Sequence, residues 1–223
     1  MTKQTPRIVL HGFFNSSAAY RVRIALNLKG LAWRHAGVNL RTGEHKGEAY
    51  RAKNPGGLVP ALEVGDDIVV AQSLAIIDHL DRFRPEPALI PAVGRSRDRV
   101  LEIAHAIACD IHPLNNLRVL KYLVGPLALS DEQKNTWYAH WIHEGFRTLE
   151  ALLPDSLHEH DGWCVGDAPT MADCCLVPQV ANATRMKVDI AAYPKVLRAD
   201  AFARRHPAFA AAAPEKQPDY VAG

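Results

Sequence analysis

The stretch Asn15-Ser16-Ser17-Ala18-Ala19-Tyr20-Arg21-Val22-Arg23-Ile24-Ala25-Leu26 joins the first strand of this chain to its first helix, and the fold is read outward from it. Upstream, Arg7 to Phe13 (R-I-V-L-H-G-F) reads as a β-branched strand ending at Gly12, and N-S-S supplies turn and cap chemistry. Downstream, Val22, Ile24, Ala25, Leu26 and Leu28 are interleaved with Arg21, Arg23, Asn27 and Lys29 in a predicted helix that Gly30 stops. Trp33–Leu40 predicts a second strand and Glu44–Ala52 a short helix. Leu58–Val64 and Asp67–Val70 predict two strands about the Gly65-Asp66-Asp67 turn, and Ser73–Phe83 a closing helix.

Strand, helix, strand, then helix, strand, strand, helix is the order of a thioredoxin-like α/β layer, a right-handed crossover followed by a hairpin. This predicts a first domain over residues 1–84. R-P-E-P-A-L-I-P, with three prolines, places a linker over 85–94, and an all-α second domain is expected over 95–223. There Val100, Ile103, Ala104, Ile107, Ala108 and Ile111 follow helical spacing, and Pro113 must break or kink a run that would otherwise reach about Val124. Ser130 with Gln133 and Thr170 with Asp173 read as capping boxes. The first opens a helix with the stripe Trp137, Trp141, Phe146, Leu149, Leu153, and the second a helix carrying Leu176 and Val180.

The 26 Lys and Arg against 24 Asp and Glu leave a formal charge of +2, too small for a phosphate-neutralising surface, so no nucleic-acid partner is expected. Met1 to Leu10 lacks the apolar core of a signal peptide and Pro6 interrupts it; no stretch reaches the ~18 apolar residues of a membrane span. Cys109, Cys164, Cys174 and Cys175 include no C-x-x-C pair and two are adjacent, which fits a reducing, cytoplasmic setting. His140 and His143 on one helix and His158 and His160 in a polar loop lack a second ligand cluster with zinc spacing, so no metal is expected. The four Trp read as core.

Three places carry chemistry. Ser16 and Ser17 put hydroxyls and free N–H groups at a helix start, where they either cap the helix or stabilise an anion. In L-V-P-A-L (Leu58–Leu62) a cis Val59–Pro60 bond would turn the Val59 backbone N–H and C=O outward to pair with an extended peptide. In V-A-Q-S-L-A-I (Val70–Ile76) Ser73 can cap the next helix and present N–H groups to a carboxylate, with the Gln72 amide beside it. Thiolate site, peptide clamp and carboxylate nest match the parts of γ-glutamyl-cysteinyl-glycine, glutathione. Asn115 and Asn116, after the Pro113 kink, either face a binding cleft or satisfy backbone groups that the kink frees. Asn115 is counted with the cofactor-binding set.

The chain resembles the zeta class of glutathione transferases, which includes maleylacetoacetate and maleylpyruvate isomerases. The likeness rests on S-S-A-A-Y-R-V-R-I-A-L (Ser16–Leu26), N-P-x-x-x-V-P-A-L (Asn54–Leu62), Q-S-L-A-I-I (Gln72–Ile77), G-D-x-P-T-x-A-D (Gly166–Asp173) and V-P-Q-V-A-N-A (Val177–Ala183), and reaches H-P-A-F (His206–Phe209). It implies glutathione-transferase architecture: a thioredoxin-like α/β N-terminal domain plus an all-α C-terminal domain, paired as a homodimer. It implies Ser16 as the thiol-activating residue with Ser17 in reserve, and His45 at the glycine end of glutathione. Arg118 and Arg185 would clamp substrate carboxylates. Two positions depart from the pattern: Ala18 stands where the family usually has Cys, and Asn15, in the substrate-binding set, where related isomerases usually have Arg. The implied activity is glutathione-dependent cis–trans isomerisation of a maleyl-type diketo acid in aromatic catabolism. A general transferase that conjugates or dehalogenates electrophiles, and a non-catalytic binding or interaction module, are the alternatives.

Overall fold

The structure, a computed structural model, describes residues 6–221; Met1–Thr5 of the chain's start, and the last two residues of the expected second domain, lie outside the described residues. The chain divides into two units, one formed by residues up to Leu89 together with those from His206 onward, the other by Ile90–Arg205.

The division differs from the expected one for reasons visible in the hydrogen bonds. The proline-rich segment is folded into the first unit: Lys29 Nζ donates to the Pro85 carbonyl, and the Leu89 amide donates to Asp81 Oδ1 at 2.7 Å. The C-terminal segment belongs there too, because two side chains of the first helix donate into it, Arg23 Nε to the Ala212 carbonyl (2.8 Å) and Asn27 Nδ2 to that of Ala208 (3.0 Å).

In the first unit, β1 (Ile8–Gly12), β2 (Arg34–Gly37), β3 (Ala61–Val64) and β4 (Ile68–Ala71) form one sheet in the order β2-β1-β3-β4. β1 and β2 are parallel in the register Val9–Arg34, whereas β3 runs antiparallel to both β1 and β4. The first three strands are shorter than the sequence predicts. β3 starts only after Pro60, which has no N–H to give to a ladder. The helix expected over Glu44–Ala52 is split by extended Gly47 (φ −67°, ψ 152°) into a 3₁₀ turn, Glu44–Lys46, and α2, Glu48–Arg51.

α1 (Ser17–Leu28) runs on to the Lys29 cap, with Gly30 at φ 58°. It is buried on nearly every side, including three cationic side chains: Arg21 1% exposed, Arg23 0% and Lys29 2%. Buried charges persist where acceptors surround them. Arg21 Nη1 donates to Ser73 Oγ (3.2 Å), Lys29 Nζ meets Asp81 Oδ1 (2.6 Å), and Arg23 is satisfied by three backbone carbonyls. α3 (Ser73–Phe83) packs beside α1.

In the second unit, α4 (Arg95–His105) continues as a π-turn, Ala106–Ile111, and the break expected at Pro113 separates it from α5 (Leu117–Val124). α6 (Asp131–Leu152) and α7 (Met171–Arg185) both begin with the predicted capping boxes. α6 lies so close to the π-turn that a Cβ at Gly145 would sit 2.1 Å from Ile111 Cγ1. α7, with Pro178 inside it, is the buried helix of this unit; α8 (Pro194–Arg204) packs against it. The short α9 (Pro207–Ala212) falls in the first unit and packs on α1.

One core expectation needs correcting. None of the four Trp is fully buried, and the α6 stripe is Tyr138, Ile142, Phe146 and Leu149. An indole N–H needs an acceptor, and Trp137 and Trp33 find theirs at the Leu114 carbonyl and Asn27 Oδ1, at half-buried positions. Among the described residues no helix is long and apolar enough to cross a membrane, and no group of three or more His, Cys, Asp and Glu could hold a metal ion.

Candidate active site

The loop Phe13-Phe14-Asn15 delivers Ser16 to the start of α1. The Ser16 amide donates to the Phe13 carbonyl (2.9 Å), and Ser16 Oγ accepts from the Ala19 amide (3.2 Å), so the residue is the N-cap. That bond uses one lone pair and leaves the hydroxyl proton for an anion, and Ser16 remains part-exposed. Ser17 is the first helical residue and is buried, 7% exposed. Accessibility therefore favours Ser16 of the two. Asn15 and Ala18 flank the pair and are half-buried.

Arg23 holds this loop from beneath, its Nη2 donating to the Phe14 carbonyl at 3.0 Å and its Nη1 to that of Phe13 at 3.4 Å. Burial lowers the Arg23 guanidinium to about 10, against the pull of Tyr20, Asp219 and Glu215. It remains charged at neutral pH.

The Val59–Pro60 peptide is cis. The carbonyl just before it, Leu58 O, is fixed twice, by Tyr50 Oη (2.7 Å) and Asn54 Nδ2 (2.6 Å), and Val59 packs on the cluster of Val38, Tyr50 and Ala61. Burial raises the Tyr50 hydroxyl to about 12, so it stays a donor. Gly57 at φ 57° lets the 3₁₀ turn that carries His45 approach closely, since a Cβ there would meet the His45 carbonyl at 3.0 Å.

At the third place a detail changes. Ser73 does not cap α3; it is the first helical residue, 6% exposed, and its hydroxyl accepts from Arg21. The N-cap is Gln72, exposed, at φ 70°, ψ 120°, with no side-chain cap bond. A positive φ in a non-glycine residue costs about 1–3 kcal/mol and is found where surroundings and function demand it. The first N–H groups of α3 therefore receive no bond from the side chain of the N-cap residue.

Ser16, His45, Val59, Pro60, Gln72 and Ser73 all lie in the first unit, on the ends and loops of one small sheet and its two long helices. Two family models match here and beyond: the glutathione S-transferase N-terminal domain over residues 15–82 and its C-terminal domain over residues 142–215. The chain is also 48% identical, over 95% of its length and 98% of the relative's, to a probable maleylacetoacetate isomerase of Vibrio cholerae. It belongs to the glutathione S-transferase family. Among solved structures of this family, the holo structure of a bacterial maleylpyruvate isomerase in the zeta class superposes with a TM-score of 0.91 at 43% identity, covering 96% of this chain and all of that one. A maleylacetoacetate isomerase from Methylobacterium extorquens AM1, solved with bound malonate and GSH, gives 0.88 at 37% identity, covering 96% and 100%. The zeta-class resemblance read from the motifs and the transferase architecture are thereby established.

The transferase's second unit holds the other expected residues. Asn116 caps α5 by accepting from the Arg118 amide (3.1 Å), and Asn115 Nδ2 donates to the Tyr138 carbonyl of α6 (3.1 Å), so both serve the backbone; Asn115 Oδ1 is buried without a hydrogen-bond partner among the described residues. Arg118 is exposed in the first turn of α5. Arg185 closes α7, donating to Asn182 Oδ1 (3.0 Å) and bonding to the Tyr138 hydroxyl, whose pKa burial raises against that positive charge. Tyr138 escaped the sequence reading because its contact with Arg185 spans two helices; its place on the α6 stripe, one residue after Trp137, marks only burial.

Proposed function

We propose that this transferase is a glutathione-dependent cis–trans isomerase of maleyl-type diketo acids, maleylacetoacetate or maleylpyruvate. The observation that carries the reading is the accessible Ser16, the N-cap of α1, in a chain 48% identical along nearly its whole length to a probable maleylacetoacetate isomerase.

The residues of the first unit suit glutathione part by part. Ser16 faces the thiol, the Val59 backbone the cysteinyl peptide, the uncapped N–H groups of α3 with Gln72 and Ser73 the γ-glutamyl carboxylate, and His45 the glycine end. Bound glutathione supplies a thiolate that adds to the cis double bond, allows rotation about the resulting single bond, and leaves as the trans fumaryl product forms. Ser16 keeps that thiol ionised. A free thiol titrates near ~8.5, so ionisation at neutral pH needs a shift of about 2 units, about 2.7 kcal/mol. A hydrogen bond from Ser16 to the charged sulfur (~1.5–3 kcal/mol) and a helix N-terminus (~0.3–2 kcal/mol) together cover it. No separate protein base is required. Arg118 and Arg185 supply guanidinium forks for the substrate's carboxylates. The reading extends to a homodimer working in the cytoplasm.

Ala18 and Asn15, in place of the family's Cys and Arg, favour a second reading, a general transferase that conjugates or dehalogenates electrophiles. Ser16→Ala tests the thiol assignment. Under our reading it raises the pKa of bound glutathione and lowers turnover at least about tenfold; unchanged thiolate ultraviolet absorbance with unchanged turnover would sink it.

A further inference from the structure

The C-terminal tail, which no step above uses, reaches back to the loop that carries Ser16. Phe14, two residues before Ser16, donates its amide to Asp219 Oδ2 at 3.0 Å. The other oxygen, Oδ1, lies 2.9 Å from His35 Nε2 on β2, whose side chain is 5% exposed against 21% for the aspartate. The Phe14 ring meets Tyr220 edge-on at 5.4 Å between centroids. The tail is itself anchored: Gln217 Nε2 donates to the Ala213 carbonyl (2.9 Å) and to that of Ala211.

Arg23 grips Phe13 and Phe14 by their carbonyls and also holds Ala212. Phe13 and Phe14 thus have both carbonyls bound by a buried cation and the Phe14 amide bound by an anion, and the Phe13 carbonyl in turn receives the Ser16 amide. Loop backbones normally lean on water for such bonds; here charged side chains hold the Phe13 and Phe14 carbonyls and the Phe14 amide.

We propose that Asp219 is a positioning residue for the thiol site: by holding the Phe14 amide it sets the loop conformation from which Ser16 presents its hydroxyl. The proposal rests on Ser16 acting on glutathione as described above. A hydroxyl that must hydrogen-bond a sulfur tolerates little displacement, so loss of this clasp acts on thiol activation more than on cofactor affinity.

Asp219→Ala and Asp219→Asn, in the full chain, test it with glutathione as the probe. The alanine variant is expected to lose thiolate absorbance at neutral pH and about tenfold in kcat while KM for glutathione moves less than about threefold; Asp219→Asn, whose amide oxygen can still accept from Phe14, keeps at least about half of both signals. Unaltered thiolate absorbance and kcat in the alanine variant, or an asparagine variant no better than alanine, overturns the proposal alone. Absence of a thiolate signal in the unsubstituted enzyme overturns the functional reading and this inference with it. Amide exchange of Phe14 in the unsubstituted enzyme is the second measurement, independent of how the variants fold: slow exchange is expected, and exchange at the rate of an unbonded loop amide overturns the clasp.

Discussion

Under the proposed function Arg185 binds a carboxylate of the substrate. Its guanidinium is held by Asn182 on its own helix and by the Tyr138 hydroxyl of α6, and a guanidinium is the group that binds carboxylates bidentately. A charge-assisted pair of this kind is worth ~1.5–3 kcal/mol, so Arg185→Ala is expected to raise KM for a maleyl diketo acid at least about tenfold. Glutathione affinity and conjugation of a neutral chloronitroarene should stay nearly unaltered. Equal losses on charged and neutral substrates would show that Arg185 acts structurally and would favour the general transferase. Tyr138→Phe removes only the orienting hydroxyl, and steady-state kinetics should show a smaller rise in KM for the same anionic substrate.

At the level of elements, two helix starts do opposite work. The box that opens α7 is closed: Asp173, fully buried, accepts from the Thr170 amide (2.7 Å), the Thr170 hydroxyl (2.9 Å) and the Cys164 amide (2.8 Å). Asp173→Ala strands three buried donors at about 1–3 kcal/mol each, so thermal unfolding should show a loss of ~3 kcal/mol or more. The start of α3 is open, and Gln72 holds it in a strained backbone. Gln72→Gly should raise the melting temperature slightly, relieving about 1 kcal/mol, while weakening glutathione binding; stronger binding by titration calorimetry would contradict the role given to the Gln72 amide. Both starts are legible in the sequence, because capping boxes and the strand–turn–helix order are local patterns. What periodicity cannot supply is the fate of Arg21, Arg23 and Lys29. It places them as polar positions in an apolar run, yet their acceptors lie up to 189 positions away. The same limit hides the tail: nothing local in Q-P-D-Y points to Phe14, and only the fold brings Asp219 beside it. Ser73 shows a finer limit, since the sequence pattern allows it as cap or first helical residue and the backbone turn at Gln72 decides.

For the whole molecule, the proline-rich segment and the C-terminal tail both fold onto the N-terminal unit, so that unit is assembled from the two ends of the chain. The loop that carries Ser16 and the helix behind it are bonded to Asp219 and Ala212, which arrive last in the sequence. If the proposed homodimer forms, sedimentation at micromolar concentration should give the mass of a dimer of the 24.6 kDa chain; a monomeric mass would count against the pairing. Under the proposed function glutathione is a cofactor that turns over and is not consumed. Maleylpyruvate and maleylacetoacetate, each supplied in large excess over glutathione, test this directly. At least one is expected to be converted fully to its fumaryl isomer, at a rate that vanishes without glutathione, with all of the thiol recovered at the end. Formation of a stable glutathione adduct in place of the trans isomer, or no conversion of either acid, would contradict it.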